Sequence, residues 1–437
     1  MIDYFLTAYD PSDLPGGSVD PLGFDRGYMF LADKILPGLT NVASQPRYFG
    51  VLCAGIFLAS EGNGETPQAL LSKRRDVLLR FERFWALANV LADNGEVLAS
   101  PRGVSYAKAK AEDIRRSGIT RTNAHYQLLS RQPQYGCLGI YGNVADGMRF
   151  LNGDSLSLTP DLGHVLAEAF IGGTGLPGVL RRAIIDDLDV SVSTLRDWGD
   201  RAHVGRIGDQ QEARCLNQAL HYNPIRSRMA AWLRRFPTED NEPELSRLAR
   251  VRTAINRDKT DEDLSESIEG ILAYEACYRS AQLVLERLLW LCRQLPSASL
   301  QHSDLHGDDV LKSALSGLTH NVPRLVKILD GGSSERFREN LDRLSDVRVF
   351  LENAAANDME TMVDIVLKRH QDVQHGKFDH GRSKMPWLEW VDGKIVMTVA
   401  RGGGLRSQAT EPADIAAHPY RLQAAESLIT ASLGVKT

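Results

Sequence analysis

Residues 268–295 read IEGILAYEACYRSAQLVLERLLWLCRQL, and the placing of apolar residues in that run decides the fold class. Ile271, Tyr274, Tyr278, Ala281, Leu285, Leu288, Cys292 and Leu295 recur every three or four residues, the period of one helical face. The acids of the preceding DKTDEDL sit where a helix dipole is positive, and Leu295-Pro296 closes the run. A long, strongly patterned helix in this position predicts a mainly α protein.

Working outward, LLSKRRDVLLRFERFWALANVLADN (70–94) carries Val77, Phe81, Phe84, Trp85, Ala88 and Leu91 on one broad face and stops at Asn94-Gly95. PIRSRMAAWLRRF supplies another helix, with Arg226, Arg228, Arg234 and Arg235 near His221; two more are predicted at about 334–353 and 358–372. Phe30, Leu31, Ile35 and Leu36 suggest one short amphipathic helix near the start, ended by Pro37-Gly38. The tail differs, because PWLEWVDGKIVMTVARGGG alternates and turns at Asp392-Gly393 as a β-hairpin does.

Between about 119 and 170 the pattern reads as a helix closed by Pro133, a glycine-broken segment, a short strand and a helix capped by Thr159 with Pro160 at its first position. That order is the one found in winged-helix modules. IGGTGLPG (171–178) lacks the Gly-Lys-Ser/Thr ending of a phosphate loop and reads as a linker. The expected architecture is a multi-subdomain helical protein with a winged-helix-like module and a small C-terminal β-hairpin. Its parts are a helical domain over 1–110, the module over 111–178, a helical domain over 179–330, and C-terminal helices with the hairpin over 331–437.

The chain of 437 residues exceeds what one hydrophobic core organises, so several subdomains are expected. Its 51 Lys and Arg against 56 Asp and Glu give a formal charge of −5, so any attraction to nucleic acid must be local. The five cysteines form no CxxC pair and read as reduced, buried thiols of a cytoplasmic protein. No secretory signal is visible at the start, and the apolar run from Tyr48 to Ala59 is far short of the roughly 20 residues that span a bilayer, so no membrane role is expected.

Two local basic segments stand out. AKAKAEDIRRSGITR holds Lys108, Lys110, Arg115, Arg116 and Arg121, although Glu112 could pair with Lys108 or Arg116 one turn away. KRHQDVQHGKFDHGRSK holds Lys377, Arg382 and Lys384 with Phe378, Trp387 and Trp390 nearby, a mixture suited to phosphates and bases. The same segment also reads as a solvated loop before a hairpin whose tryptophans are core. Its His370, His375 and His380 are five residues apart, which does not align them on a helix for a metal.

LQHSDLHGDDVLKSA (300–314), followed by RLVKILDGG, resembles the catalytic segment of the aminoglycoside phosphotransferase and choline kinase families. The resemblance implies Asp304 as catalytic base and Asp309 and Asp330 as magnesium ligands for phosphoryl transfer. Here Ser303 stands for the usual glycine and Asp309 for the usual asparagine, a long insertion precedes Asp330, and no glycine loop with a paired lysine comes earlier. The same letters also read as a connector whose acids begin the next helix.

DPLGFDRGYMFLADKILPGLTNVASQPRYFGVLCAGIF (20–57) resembles the opening of uncharacterised bacterial families from gene clusters for defence against phages and mobile DNA. The shared positions are Leu22, Gly23, Pro37, Gly38, Thr40, Arg47, Tyr48 and Phe49. This resemblance implies protein partners in a multi-subunit complex. Taken with the basic segments, it makes a non-catalytic DNA-sensing or adaptor subunit the leading expectation, with no cofactor. A magnesium-dependent phosphotransferase and a protein-only assembly scaffold are the alternatives.

Overall fold

The structure, a computed structural model, describes residues 20–60, 66–93, 100–295, 297–331, 341–379, 382–398 and 409–433. It is mainly α, with only small sheets of two or three strands. Elements are numbered along the chain, which divides into two compact units. The first holds Leu36–Pro237 and the described part of Arg421–Thr437; the second holds the described part of Tyr9–Ile35 and Thr238–Tyr420. These units do not follow the four expected segments: residues 36–237 form one body across the expected boundaries at 110 and 178.

At the centre of the first unit lies α2 (Arg47–Ala59), in which every residue but Phe57 is buried. The apolar run judged too short for a membrane is therefore a core helix, packed by α3 (Pro67–Ala92), α6 (Cys137–Gly147) and α7 (Gly163–Thr174). Among the described residues no helix is long and apolar enough to cross a membrane. As expected from their spacing, Val77, Phe81, Phe84, Trp85, Ala88 and Leu91 of α3 are all buried. Their large side chains each contribute roughly 1.5–3 kcal/mol of burial.

The expected helix over 119–132 does not form. Arg121–Thr122 is a strand, β1, that pairs antiparallel with β4 (Val190–Ser191), and the Asn123 side chain accepts the His125 amide at 3.0 Å. A side chain bonding its own backbone two residues on makes a turn and competes with helix. Conversely, the glycine-broken segment is the helix α6, held after the short α5 (Gln132–Tyr135) by the buried Glu82. The Glu82 carboxyl accepts the Cys137 amide at 2.7 Å and the Gln132 side chain at 2.8 Å. Thr159 does accept a backbone amide, but that of Gly163, so the helix after it begins three residues later than Pro160. The hairpin of β2 (Leu151–Asn152) and β3 (Ser157–Leu158) lies between α6 and α7 and does not pair with β1, so the winged-helix-like module expected over 111–178 is not confirmed.

The expected linker over 171–178 is a sharp helix junction. Gly175 takes a left-handed conformation (φ 57°) after α7, and Pro177 precedes α8 (Gly178–Asp186). A turn then leads through β4 to α9 (Val192–Arg201), which lies on α3 so closely that a Cβ on Gly199 would sit 2.0 Å from the Ala88 carbonyl oxygen. The rest of this unit is α4 (Val104–Ser117), α10 (Gln210–Tyr222), α11 (Pro224–Arg235) and α17 (Leu422–Ser432).

In the second unit the decisive run is α13 (Glu262–Gln294), with Ile271, Tyr274, Ala281, Leu285, Leu288 and Cys292 buried. Around it pack α1 (Asp25–Ile35), α12 (Glu244–Asp258) and α14 (Asp309–Gly331); α15 (Ser345–Ala355) and α16 (Met359–His375) complete the helices. The expected hairpin is β8 (Leu388–Val391) with β9 (Lys394–Met397), and positive φ at both Asp392 and Gly393 marks the tight turn. A third strand, β5 (Ser299–Leu300), joins β9 from the connector after α13. Phe378–Asp379 and Arg382–Ser383 form β6 and β7. All five cysteines are free and buried.

Two glycine substitutions should separate close packing from simple chain entropy. Gly199→Ala forces a methyl against the α3 backbone and should lower the urea midpoint by the equivalent of about 1–3 kcal/mol. Gly172→Ala, in α7 with open space at its Cβ, should raise it by about 0.5–1 kcal/mol.

Candidate nucleic-acid interface

Helix α4 begins after Gly103 and ends at Gly118, both left-handed (φ 73° and 63°). Ala107, Ala111 and Ile114 are buried on the side that packs against α3. The small alanines let the helix lie flat, and the charged positions point outward. Lys108, Arg115 and Arg116 are exposed and Lys110 is partly exposed; among the described residues none of the four makes an ion pair. The pairing of Glu112 with Lys108 or Arg116 is not formed. Arg121 is engaged differently, its guanidinium donating to the Asp189 carbonyl at 2.7 Å.

The second basic segment belongs to the other unit and is arranged for packing. Lys377 is half-buried and its ammonium donates to the Asp20 carbonyl, with its pKa lowered mainly by burial. Lys384 is partly exposed, and its backbone amide bonds the Lys377 carbonyl at 2.8 Å. The Arg382 side chain and His380 lie outside the described residues. Trp387 is buried, and its amide donates to His370 Nε2 at 2.8 Å, while His370 Nδ1 faces the Pro21 carbonyl at 3.1 Å. With both nitrogens so engaged, buried His370 is a structural neutral imidazole with its proton on Nδ1.

The three aspartates of the phosphotransferase resemblance are not brought together. Asp304 folds back to accept the Gln301 amide at 2.8 Å, capping a turn of 3-10 helix. Asp309 opens α14 and Asp330 stands near its end, about 30 Å along the axis at 1.5 Å per residue, so one magnesium cannot touch both. Each has a cationic neighbour that lowers its pKa: Lys312 at 2.9 Å from Asp309, and Arg348 at 2.5 and 2.9 Å from Asp330. The histidines of the same stretch turn toward α16. His302 reaches Glu360 at 3.2 Å and Asp364 at 3.1 Å, and His306 reaches Glu360 at 3.3 Å. Among the described residues no group of His, Cys, Asp or Glu is arranged to hold a metal ion.

A polar cluster in the second unit has no counterpart in the sequence reading. Glu275, fully buried in α13, accepts from Tyr420 Oη at 2.7 Å and from the His418 amide at 3.2 Å, and its Oε1 lies 2.7 Å from His418 Nδ1. The His418 ring stacks on Tyr28 at 4.7 Å, and its Nε2 faces Asp25 at 3.7 Å. Burial, then the charge of Asp20, push Asp25 up to about 6 against the opposing pull of His418 and Lys377. The one signal available was Glu275 standing among apolar helix positions; its partner lies 143 residues away.

Comparison with protein-family models, with curated proteins and with solved structures found no match to this chain.

The Asp25 environment has a signed consequence. A carboxyl whose folded pKa lies above its ordinary 3.8 binds its proton more tightly when folded, so its ionisation above about 6 costs stability that returns as the pH falls. Asp25→Asn should therefore raise the thermal midpoint near pH 8, and the difference from the unaltered protein should close by about pH 4. A constant difference across that range would show that Asp25 titrates normally.

Proposed function

We propose that this protein is a non-catalytic, DNA-contacting adaptor subunit of a bacterial defence complex, and that α4 is its phosphate-binding edge. The observation that carries the reading is the set of Lys108, Lys110, Arg115 and Arg116, exposed or partly exposed on one short helix and, among the described residues, without ion pairs. Cations already held by carboxylates gain little from a phosphate, whereas unpaired ones release the counterions condensed on DNA. Arg121 serves this edge from beneath, by tying β1 to the turn before α9. The resemblance of residues 20–57 to families from anti-phage gene clusters supports the choice of partners, which are other protein subunits of such a complex. The separation of Asp309 from Asp330 speaks against phosphoryl transfer at the resembling segment.

Fluorescence anisotropy of a labelled duplex, titrated at about 50 and 200 mM salt, tests the proposal. Affinity should fall with salt, each neutralised phosphate contributing a slope of about −0.9 in log K against log salt. Replacing Lys108, Lys110, Arg115 and Arg116 together by Ala should lower affinity at least tenfold at the lower salt and flatten the slope by about 2–4. Duplex binding that survives this change undiminished would remove α4 from the interface, and an absence of salt-sensitive binding would overturn the reading.

A further inference from the structure

We infer that α8, the following turn and α9 form a helix-turn-helix unit that reads base edges in the major groove of duplex DNA, with α4 gripping the flanking phosphates. This inference rests on the proposed DNA contact and adds to it the element that enters the groove. Asp187 caps α8 in a left-handed conformation (φ 58°), Ser191 caps α9 by accepting the Thr194 amide at 3.0 Å, and only Leu188, Asp189 and Val190 lie between the two caps. A turn of three or four residues between two helices is one feature of the motif.

The inward faces are complete. Leu180, Ala183 and Ile184 of α8, Val190 of the turn, and Val192, Leu195 and Trp198 of α9 are buried, and the Trp198 indole donates to Thr174 of α7 at 3.2 Å. Outside on α9 lies a stripe at one-turn spacing, Ser193, Arg196, Asp197 and Asp200, while the exposed Arg201 is held by the Thr174 and Gly175 carbonyls at 2.9 and 3.4 Å. Asp200 is paired with Arg206 at 3.2 Å, and Arg196 makes no ion pair among the described residues. The other three offer a hydroxyl, a guanidinium and a carboxylate. In the major groove a guanidinium matches the O6 and N7 of guanine, and a carboxylate accepts from the N4 amino group of cytosine, so the stripe fits G·C pairs.

The last cation of α4 lies close along the chain to the residue that bonds the start of α9. The Val192 amide at the start of α9 bonds the Thr120 carbonyl at 2.9 Å, and Thr120 is only four residues beyond Arg116. Those four residues reach at most about 14 Å, close to the roughly 12 Å width of a major groove. Arg182, exposed on α8 and without an ion pair among the described residues, lies on the helix that crosses the backbone in this mode of binding. Of the acids in the turn, Asp187 is held by His125 at 2.9 Å and Asp189 accepts from Asn123 at 3.1 Å.

The test selects duplexes from a randomised pool with the full chain, then compares the enriched duplex with a scrambled one for the unaltered protein and for Arg196→Ala. The expected result is enrichment of a G·C-containing site and a fall of at least about tenfold in the affinity ratio of selected to scrambled duplex on removing Arg196. The α4 quadruple variant should weaken both duplexes alike. Arg214→Ala, an exposed change on α10, should leave the ratio unaltered. Salt-sensitive binding without enrichment, or an Arg196→Ala loss equal on both duplexes, overturns groove reading while leaving the α4 contact standing. Failure of all duplex binding overturns both.

Discussion

Helix α9 can lie against α3 only while position 199 lacks a side chain, and much of the first unit is arranged around that contact. Once the backbones are this close, the polar groups of α3 reach across. The Trp85 indole donates to the Ala202 carbonyl at 2.6 Å, and Asn89 accepts the Val204 amide at 2.8 Å. These bonds satisfy backbone groups left over where α9 ends, groups that would otherwise cost about 1–3 kcal/mol each when buried. They fix the direction of α9, and the β1–β4 pairing then fixes the exit of α4 beside its start. The outward stripe of α9 and the cations of α4 are thus held by one rigid frame.

The second unit solves a different problem. A carboxyl group in the middle of the long helix α13 is tolerated because Glu275 meets partners from Tyr420 and His418, so a buried polar group is matched by hydrogen bonds from a segment remote in sequence. Those partners close the chain segment 418–420 onto α13. An apolar residue at 275 would fill the same space and leave that segment without its anchor.

Helices α3 and α13 were legible because burial and period agree over many turns, and the β8–β9 hairpin because Asp392-Gly393 suits a turn with two positive φ angles. Elsewhere local pattern and tertiary demand diverge. Residues 119–132 look helical, yet Asn123 makes its own turn and Arg121–Thr122 pairs with a strand some 70 residues on. Glycines made α6 look broken, although burial of Cys137, Leu138 and Tyr141 holds it as a helix. The junction at 171–178 reads as a linker from sequence, because glycine and proline mark both linkers and the caps of successive helices, and that hides the α8–α9 pair. In the candidate site the basic segment around α4 is legible as charge; the engagement of Lys377 is not, because its partner, the Asp20 carbonyl, is 357 positions away.

The acidic balance of the whole chain also concealed where positive charge is available. Many arginines hold the interior together: Arg226 is buried, donates to the carbonyls of Leu220, Ala219 and Pro37, and is pushed down to about 10 by that burial. Arg47 is enclosed with Glu212 at 3.0 Å, beneath the same core helix it begins. Composition counts such residues as surface charge, which they are not. At physiological salt a charge is felt over about 8 Å, so a phosphate beside α4 responds to the four cations there and to Glu112 and Asp113 on the same helix, and little to acids farther away. A net charge of −5 and a local phosphate-binding edge are therefore compatible, because the first is a sum over the chain and the second depends on which cations the fold leaves without partners.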